Sequence, residues 1–580
     1  MKHSIVIISI IFLIFGFIRI IDTASTKSAT YDEAFYITYG YSILKTGDFR
    51  MAIDKTPLVP LISAIPLLRF SPVFNTGDLN WQMLASAKNS KEPWKFAPLR
   101  WNFSLNFLFN NKVDADTMLF AARLPFALLL MILSLFIFYL LYEIYGFEVA
   151  FIFIPFWIFC PNILANASIS TEDFTASAFI FLSVLAFQYL LKNNSTGSSV
   201  FFGLILGLTL LTKYSAMIVL PLLAIIWLRK GGLKLKSPDP RCCVGAPPPF
   251  VKGGIPKYLL ISFLITVLVI VSFYRFSQIG FYFKGFLNTL AYQTRGQATY
   301  CWGKYSNTGF WYYYLVVLLF KTPLPLLLSF IFFFVRGVNK DIKFISFTTI
   351  ALFLLIASVN KIQLGLRYIL PVYPFLFLIA AAGLKNIIFD AGIKPIFKII
   401  LPVFLCIWYI ISSVRIHPDY LAYFNELAGG PENGPAFLVD SNIDWGQDLK
   451  TLKKYVEKNG ISDIILSYYG AALPGYVGFK FQDLLSFGIW GEKNHLNSKK
   501  PVKEILAVSV TNLKGLYFGQ AGHNLFKWLE NKKPDAMLGY SIYVYDITND
   551  SSAHRQIAQA YYLLGDEIKA RRSISRAIAI

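Results

Sequence analysis

Two adjacent carboxylates, Asp32 and Glu33, stand at the start of the stretch 31–60, directly after the first long apolar segment. An aromatic-rich run with helical character follows them and ends at the turn Thr46-Gly47-Asp48. A carboxylate can take a proton from an attacking hydroxyl as a general base. A carboxylate pair ahead of an amphipathic helix on a membrane surface would suit chemistry at the boundary of water and lipid. The competing interpretation is a solvated loop that holds two acids by chance.

Further ionisable residues lie at the edges of apolar segments. They are Arg123, Asp173 after Glu172, Lys213, and Arg367 followed by Tyr368, while Lys55 lies in the opening stretch. Ionisable groups near membrane depth are costly, so they usually face a cavity and pair with each other. Acids could supply a general base and cations could hold a phosphate. Singly, each has a simpler explanation, since Arg123 and Lys213 could reach lipid headgroups and Asp173 could cap a helix.

The composition indicates a membrane protein. The chain has 580 residues, 56% of them hydrophobic and only 15% charged, and its mean hydropathy is +0.53. A water-soluble core could not bury this much apolar surface, so we expect a polytopic α-helical membrane protein. The net charge of +21 is assigned to cytoplasmic loops and anionic headgroups, and no nucleic-acid partner is expected. The scattered cysteines and histidines indicate neither a disulfide framework nor a histidine-based zinc site.

The apolar runs predict about eleven transmembrane helices. The first, Ile5–Ile21, is interpreted as a signal anchor in preference to a cleaved signal peptide. Basic clusters in three loops place these loops, and the N-terminus, in the cytoplasm. The later spans are predicted at Thr117–Leu141, Phe147–Ile163, Phe174–Leu191, Val200–Leu211, Ala216–Leu228, Tyr258–Phe273, Phe310–Val335, Phe344–Ala357, Arg367–Leu384 and Ile396–Val414.

The chain divides into three predicted parts. Residues 1–414 form the transmembrane domain, with an outer loop 22–116 that carries surface-lying helices. Residues 415–549 form an extracytoplasmic α/β domain with strands at Ala436–Val439, Asp463–Tyr469, Ile505–Val510 and Ser541–Tyr545. Residues 550–580 form a helical tail with the spacing of half a tetratricopeptide repeat. The proline- and glycine-rich segment 237–254 is predicted to be a structureless cytoplasmic linker.

Two interpretations of the acids in the α/β domain stay open. Asp444 and Asp448 could share a helix face and bind a cation or a sugar. Alternatively, Asp444 caps the helix that carries Leu449 and Leu452.

Several motifs occur in a recognisable order. They are Tyr31-Asp32-Glu33-Ala34, Asp173 after a small polar run, Leu211-Thr212-Lys213, Lys321-Thr322-Pro323-Leu324-Pro325 and Arg367-Tyr368-Ile369-Leu370-Pro371. In this order they resemble the bacterial branch of the dolichyl-phosphate-mannose–protein mannosyltransferases, membrane glycosyltransferases of the GT-C fold related to the lipid A aminoarabinose transferases. The tract 417–431 and the acids at 440–448 are similar to the C-terminal part of one bacterial subgroup. Many relatives have His-Pro-Pro where this chain has Asp54-Lys55-Thr56-Pro57.

The resemblance implies a function. A sugar would move from a polyprenyl-phosphate carrier to a lipid, glycan or protein acceptor, with inversion, on the outer face of a bacterial inner membrane. Asp32 would be the general base, with Glu33 beside it, and Arg123 would orient the acids. Substrate contacts would come from Lys55, Arg123, Asp173, Lys213, Arg367 and Tyr368, with Lys213 and Arg367 as candidates for the lipid phosphate. No cofactor is implied with certainty and a divalent cation stays open, while a lipid-linked-sugar flippase or transporter is the alternative function.

Overall fold

The computed structural model describes residues 2–51, 54–90, 92–230, 255–334, 337–389, 392, 394–462, 464–487 and 503–580. The predicted linker 237–254 lies outside the described residues. The N-terminal part begins with a long apolar helix and continues as a compact group of short helices. These elements are α1 (Lys2–Thr26), α2 (Glu33–Thr46), α3 (Leu58–Ala64), α4 (Leu79–Met83) and α5 (Ala97–Phe109).

Helix α2 carries the aromatic-rich run, but it does not lie on a surface. Residues 33–43 are all buried, because α3 and α5 pack against the helix. The prediction of a surface-lying amphipathic helix is therefore wrong for this segment. The helix ends at Gly47, whose φ of 70° lies in the left-handed region that favours glycine. Asp32 directly precedes α2, so the start of this helix fixes the position of the first predicted catalytic carboxylate.

The next segment is built of long apolar helices that pack side by side. The helix α6 contacts α1, α7 and α9, and α10 contacts α9 and α12. The elements are α6 (Ala115–Tyr145), α7 (Phe147–Ile158), α8 (Pro161–Ala167), α9 (Glu172–Asn193), α10 (Thr196–Leu210), α11 (Val219–Arg229) and α12 (Ile255–Phe273).

The third helical segment includes a short hairpin and a broken span. The predicted span Phe310–Val335 is interrupted at Thr322-Pro323, where proline removes a backbone donor and prevents one continuous helix. The elements are α13 (Gly280–Gln293), β1 (Thr299–Cys301), β2 (Lys304–Ser306), α14 (Tyr313–Lys321), α15 (Leu324–Ser329), α16 (Lys340–Val359), α17 (Tyr373–Phe389) and α18 (Pro395–Arg415).

Fewer helices have full membrane-spanning length than the apolar runs predicted. Among the described residues, five are long and apolar enough, and a sixth span exists if α7 and α8, bent by 66°, count as one. The first predicted span, Ile5–Ile21, lies within the 25-residue helix α1. The remaining predicted spans correspond to shorter or broken helices, because the number of consecutive apolar residues does not show where a helix axis bends. The five are Ala115–Tyr145, Glu172–Asn193, Lys340–Val359, Leu370–Phe389 and Pro395–Arg415.

The C-terminal part is a five-stranded sheet in the order β4-β3-β5-β7-β6, covered by helices. The strands β4, β3 and β5 are parallel, whereas β7 and β6 are antiparallel to their neighbours. The elements are α19 (Leu449–Lys458), β3 (Ile464–Ser467), α20 (Pro474–Val477), β4 (Phe481–Asp483), β5 (Ile505–Ser509), α21 (Val510–Leu513), α22 (Gly519–Gly522), β6 (Ala536–Leu538), β7 (Ile542–Asp546), α23 (Ser551–Leu563) and α24 (Glu567–Ala579).

Three of the four predicted strands match β3, β5 and β7. The fourth, Ala436–Val439, is wrong: a 3₁₀ helix occupies Pro431–Ala436, where two prolines disfavour a strand ladder.

The prediction that Asp444 caps α19 is also wrong. The residue before α19 is Asp448, and Asp444 instead accepts a hydrogen bond from the backbone N–H of Thr511 at 3.1 Å. The two acids therefore do not share a helix face.

Two buried lysines join the helices to the sheet domain. Lys27, just after α1, forms ion pairs with Asp419 and, at 2.5 Å, with Asp448. Lys321, at the end of α14, donates to the carbonyl oxygens of Leu421 at 2.9 Å and Asn442 at 2.5 Å. Both contacts cross from the helices to the chain that leads into the sheet, so they fix the position of the domain over the helical bundle.

Candidate active site

A cavity of about 620 Å³ lies where the helical bundle meets the C-terminal domain. This volume is within the range of about 300–1,000 Å³ that is typical of small-molecule sites. Its walls combine aromatic rings with charged side chains that are hundreds of residues apart in the chain. The charged residues are the carboxylates Asp32, Asp54, Glu172 and Asp440 and the cations Lys55, Arg100, Lys213, Arg295 and Arg367.

Asp32 lies on this cavity and is paired with Arg367. The Nη1 of Arg367 donates to Oδ2 of Asp32 at 2.9 Å, and the Asp32 side chain is 21% exposed. Arg367 follows Gly365, whose φ of 80° permits the turn, and its guanidinium lies 4.3 Å from the ring centroid of Trp445. Burial acts to lower the pKa of Arg367, but the charges of nearby carboxylates, Asp32 first, outweigh it and raise the pKa well above its ordinary value. Asp32 therefore faces the cavity beside a permanent cation.

Glu33 is the neighbour of Asp32 in the chain but does not reach the cavity. Its side chain is fully buried and accepts hydrogen bonds from Arg123 at 2.7 and 2.6 Å, from the backbone of Ser170 at 2.8 Å, and from Thr30. Burial acts to raise the pKa of Glu33, but Arg123 and these hydrogen bonds outweigh it and lower the pKa. Arg123 also donates to the backbone carbonyls of residues 24, 27 and 28. The pair holds the start of α2 in place behind the cavity wall.

Two lysines of the cavity share the acids at the start of α9. The Nζ atoms of Lys55 and Lys213 both lie 3.2 Å from Oε1 of Glu172, and Lys213 lies 2.7 Å from Oδ1 of Asp173. Burial acts to lower the pKa of Lys55, but Glu172 and other anionic groups outweigh it and raise the pKa well above its ordinary value. Lys213 also lies 4.9 Å from the ring centroid of Tyr368, which lines the cavity. Both lysines are therefore held as cations inside the cavity.

Asp173 is placed differently from the prediction. It does not line the cavity but lies buried behind Lys213 and fixes the position of its ammonium group. It is not a helix cap either, since the residue before α9 is Thr171 and no side chain caps this helix. The neighbouring Glu172 lines the cavity instead. Of the eight predicted site residues, five line the cavity, namely Asp32, Lys55, Lys213, Arg367 and Tyr368.

The sequence did not reveal several residues of the cavity. Asp54 and Arg100 form an ion pair of 2.6 Å on its wall. Arg295 follows α13, and its guanidinium lies 3.8 Å from the ring centroid of Trp94. Within the described part of the chain, Arg295 forms no ion pair with a carboxylate. Asp440 comes from the C-terminal domain. A single arginine in a loop has no periodicity and no motif, so only the tertiary contacts could indicate its position.

Metal binding was left open by the sequence. In the ranges that the structure describes, no group of three or more histidine, cysteine, aspartate or glutamate residues is arranged to hold an ion. The carboxylates of Asp32, Asp54 and Glu172 are each paired with a cation of the same cavity. The charged groups are thus arranged as ion pairs around a common space, which suits a ligand that carries its own charge.

Known proteins resemble parts or all of this chain. The crystal structure of ArnT from Cupriavidus metallidurans bound to undecaprenyl phosphate is similar, with a TM-score of 0.47 and 12% identity over 93% of this chain and 98% of that one. The apo form of the same protein has a TM-score of 0.46 and 11% identity over 93% and 97%. The Archaeoglobus fulgidus oligosaccharyltransferase has a TM-score of 0.35 and 14% identity over 81% and 62%. No protein of curated function matches the chain.

A family model described as "Dolichyl-phosphate-mannose-protein mannosyltransferase" matches residues 112–245. The matched segment includes α6 with Arg123, the acidic start of α9 and the turn with Lys213. The expected fold class, a polytopic GT-C-like helical membrane protein with a C-terminal α/β domain, is confirmed. Residues 112–245 are therefore similar to the dolichyl-phosphate-mannose-protein mannosyltransferase family, and this confirms the resemblance that the ordered motifs indicated.

Proposed function

We propose that the protein transfers a hexosyl or pentosyl group from a polyprenyl-phosphate donor to a hydroxyl group of a lipid, glycan or protein, with inversion at the anomeric carbon. The observation that carries the proposal is the single cavity in which Asp32 lies with Lys55, Lys213, Arg295 and Arg367. A carboxylate and several cations around one space provide a base and a binding site for a phosphate. The family match of residues 112–245 supports transfer from a lipid-linked sugar.

The proposed reaction is one direct displacement. The carboxylate of Asp32 takes the proton of the acceptor hydroxyl, whose oxygen forms a bond to the anomeric carbon. The bond between this carbon and the phosphate oxygen breaks, and its electron pair leaves with the polyprenyl phosphate. Attack on the face opposite to the leaving group inverts the configuration. The phosphate is already a good leaving group, so cations that stabilise its developing charge suffice and no general acid is required.

The cations have different tasks in this proposal. Arg367 donates to Asp32 and keeps its carboxylate oriented. Lys55 and Arg295 are the proposed ligands of the phosphate. The Lys55 side chain is 29% exposed, so a ligand can reach it. Arg295 forms no ion pair with a carboxylate among the described residues, so its charge is available to an anion. Lys213 is held more tightly, between Glu172 and Asp173. Its proposed task is to fix the acidic end of α9 beside Tyr368.

The proposal also includes an orientation. The end of the bundle that carries the cavity would face the extracytoplasmic side of a bacterial inner membrane. The support is the distribution of basic residues, such as Arg229 and Lys230 at the end of α11, at the opposite end of the bundle from Lys213. Positively charged loops are typical of the cytoplasmic side.

The test uses the full chain in lipid nanodiscs with a short-chain polyprenyl-phosphate mannose and a mixture of hydroxyl acceptors. The variant Asp32→Asn should lower kcat by about 10²–10⁴-fold, the contribution of a general base. The control Glu457→Gln removes an exposed acid of α19, far from the cavity, and should leave kcat unchanged. A product with the same anomeric configuration as the donor would contradict the displacement. Transfer by Asp32→Asn at the rate of the unmodified protein would remove Asp32 from the role of base.

A further inference from the structure

Four aromatic rings form one wall of the cavity, on the side of the C-terminal domain. They belong to Tyr31, Tyr469, Phe487 and Tyr517, which we call the aromatic wall. Neighbouring rings are within 13–18° of parallel, with centroids 4.8–6.2 Å apart. The rings of Tyr31, Tyr469 and Phe487 are each 5.8–6.2 Å from the other two, so they cannot form a single column. They are offset from one another and form a broad apolar surface.

The sheet topology places three of these rings together. Tyr469 follows β3, Phe487 follows β4, and Tyr517 follows β5 and the short α21. These three strands are parallel neighbours, so their carboxyl ends meet at one edge of the sheet. The ends of β3 and β4 are also joined by a bridge between Tyr469 and Phe487. Ligands of α/β sheets bind beyond the carboxyl ends of the strands, and here that edge faces the cavity.

A carboxylate accompanies the aromatic wall. Asp440 is almost fully buried, and its two oxygens accept hydrogen bonds from the hydroxyl of Tyr517 and from the backbone of Ser441. Gln297 donates in turn to the Tyr517 hydroxyl at 3.2 Å. Each carboxylate oxygen can accept a further hydrogen bond. The φ of Asp440 is 60°, in the left-handed region that aspartate adopts more readily than most other residues.

We propose that the aromatic wall and Asp440 bind the pyranose ring of a saccharide, so that the acceptor of the proposed transfer is a glycan. This inference rests on the proposed function and names its acceptor class. One face of a pyranose presents C–H groups, which pack on aromatic rings, and its rim presents hydroxyl groups, which donate to a carboxylate. A plain hydrocarbon chain would satisfy the rings but could not donate to the acceptor positions of Asp440 that Tyr517 and Ser441 leave open, whereas the hydroxyl groups of a saccharide can.

The wall is continuous with the proposed base. Tyr31 belongs to the wall and directly precedes Asp32 in the chain. The ring of Tyr31 also contacts Trp101, with 5.0 Å between the centroids, so the wall reaches from the C-terminal domain to α5. A saccharide on this surface therefore lies on the same side of the cavity as the carboxylate that would take its proton. Arg367, beside Asp32, stands at the border between the wall and the cationic part of the cavity.

Binding is tested without relying on transfer. Saturation-transfer NMR on the full chain in nanodiscs would compare methyl glycosides of glucose, mannose, galactose and N-acetylglucosamine with the peptide N-acetyl-Ala-Ser-Ala-amide and with glycerol 1-phosphate. We expect signals from the ring protons of at least one glycoside and weaker signals from the other two probes. Stronger binding of the peptide or of glycerol 1-phosphate than of every glycoside would overturn the proposal.

Two substitutions at one position separate ring stacking from general packing. Phe487→Leu keeps an apolar side chain without a ring and should raise the KM for the glycoside at least tenfold while changing kcat less. Phe487→Tyr keeps the ring and should raise the KM less than Phe487→Leu does. Phe397→Leu, on the exposed face of α18, is the control that should change neither constant.

An unchanged NMR signal and KM in Phe487→Leu would overturn the proposal. Glycoside binding without transfer to any acceptor would contradict the proposed function and leave the saccharide site supported.

Discussion

The guanidinium of Arg123 donates to both carboxylate oxygens of Glu33, at 2.7 and 2.6 Å, in a part of the protein that water does not reach. Asp32, one residue earlier, faces the cavity and pairs with Arg367. Two identical functional groups that are adjacent in the chain thus have different environments. One is held inside by five donated hydrogen bonds, and the other lines the cavity. The first of these pairs anchors the start of α2, and α2 positions Asp32.

The buried pair leads to a prediction about stability. Glu33→Gln removes the charge that compensates Arg123, and breaking a buried ion pair typically costs about 3–5 kcal/mol. We expect a lower unfolding temperature in nanodiscs. The double variant with Glu33→Leu and Arg123→Met should also be destabilised, because it leaves the carbonyl oxygens of residues 24, 27 and 28 and the N–H of Ser170 without their partners. Equal stability of the single variant and the unmodified protein would show that the pair contributes little to the fold.

The cavity cation Arg295 leads to a prediction about the donor. Arg295→Gln should raise the KM for the polyprenyl-phosphate sugar about tenfold, because a phosphate would lose one charge-assisted hydrogen bond. Transfer kinetics with varied donor concentration measure this effect. The matched control is Arg571→Gln on the exposed face of α24, which should not change the KM. A change in the KM for the acceptor alone would instead place Arg295 at the acceptor.

Asp444 leads to a prediction about pH. Its side chain is fully buried, and burial raises its pKa to about 8 in spite of hydrogen bonds from Thr511 and Gly446. The folded state then binds more protons at this site than the unfolded state between about pH 4 and pH 8. The contribution of Asp444 to the free energy of unfolding therefore falls as the pH rises through this range.

Asn resembles the neutral form of Asp, so Asp444→Asn should remove this contribution. We expect the unfolding temperature of the variant to fall less between pH 5 and pH 8 than that of the unmodified protein. Thermal unfolding in nanodiscs at several pH values checks it. A steeper fall for Asp444→Asn would contradict the predicted sign.

The proposed orientation can be measured with introduced cysteines in a cysteine-free background. Ser575→Cys lies on the exposed side of α24, in the C-terminal part, and Asn193→Cys lies at the end of α9 that is remote from the cavity. A membrane-impermeant maleimide should label Ser575→Cys on spheroplasts directly. It should label Asn193→Cys only after the membrane is permeabilised. The reverse result would place the cavity on the cytoplasmic side.

Local patterns explain which parts of the fold could be predicted. Apolar runs predicted the positions of α6, α9, α16 and α18, and short apolar runs between turns predicted the strands β3, β5 and β7. These features depend on neighbouring residues, so the sequence contains them. The span Phe310–Val335 was predicted as one continuous segment, whereas it breaks at Thr322-Pro323, beside Lys321. The carbonyl partners that hold Lys321 there are 100 or more residues away in the chain.

The sequence by itself determined the class of the protein, its apolar segments and the ordered set of acids and bases at their edges. Only the tertiary structure decided that Asp32 rather than Glu33 faces the cavity, because the choice depends on which carboxylate Arg123 captures. It also brought Arg295, Asp440 and the aromatic wall to the same cavity. These residues are far apart in the chain and follow no shared periodicity. They are close together because the sheet packs on the helices, and this packing cannot be predicted from any local sequence pattern.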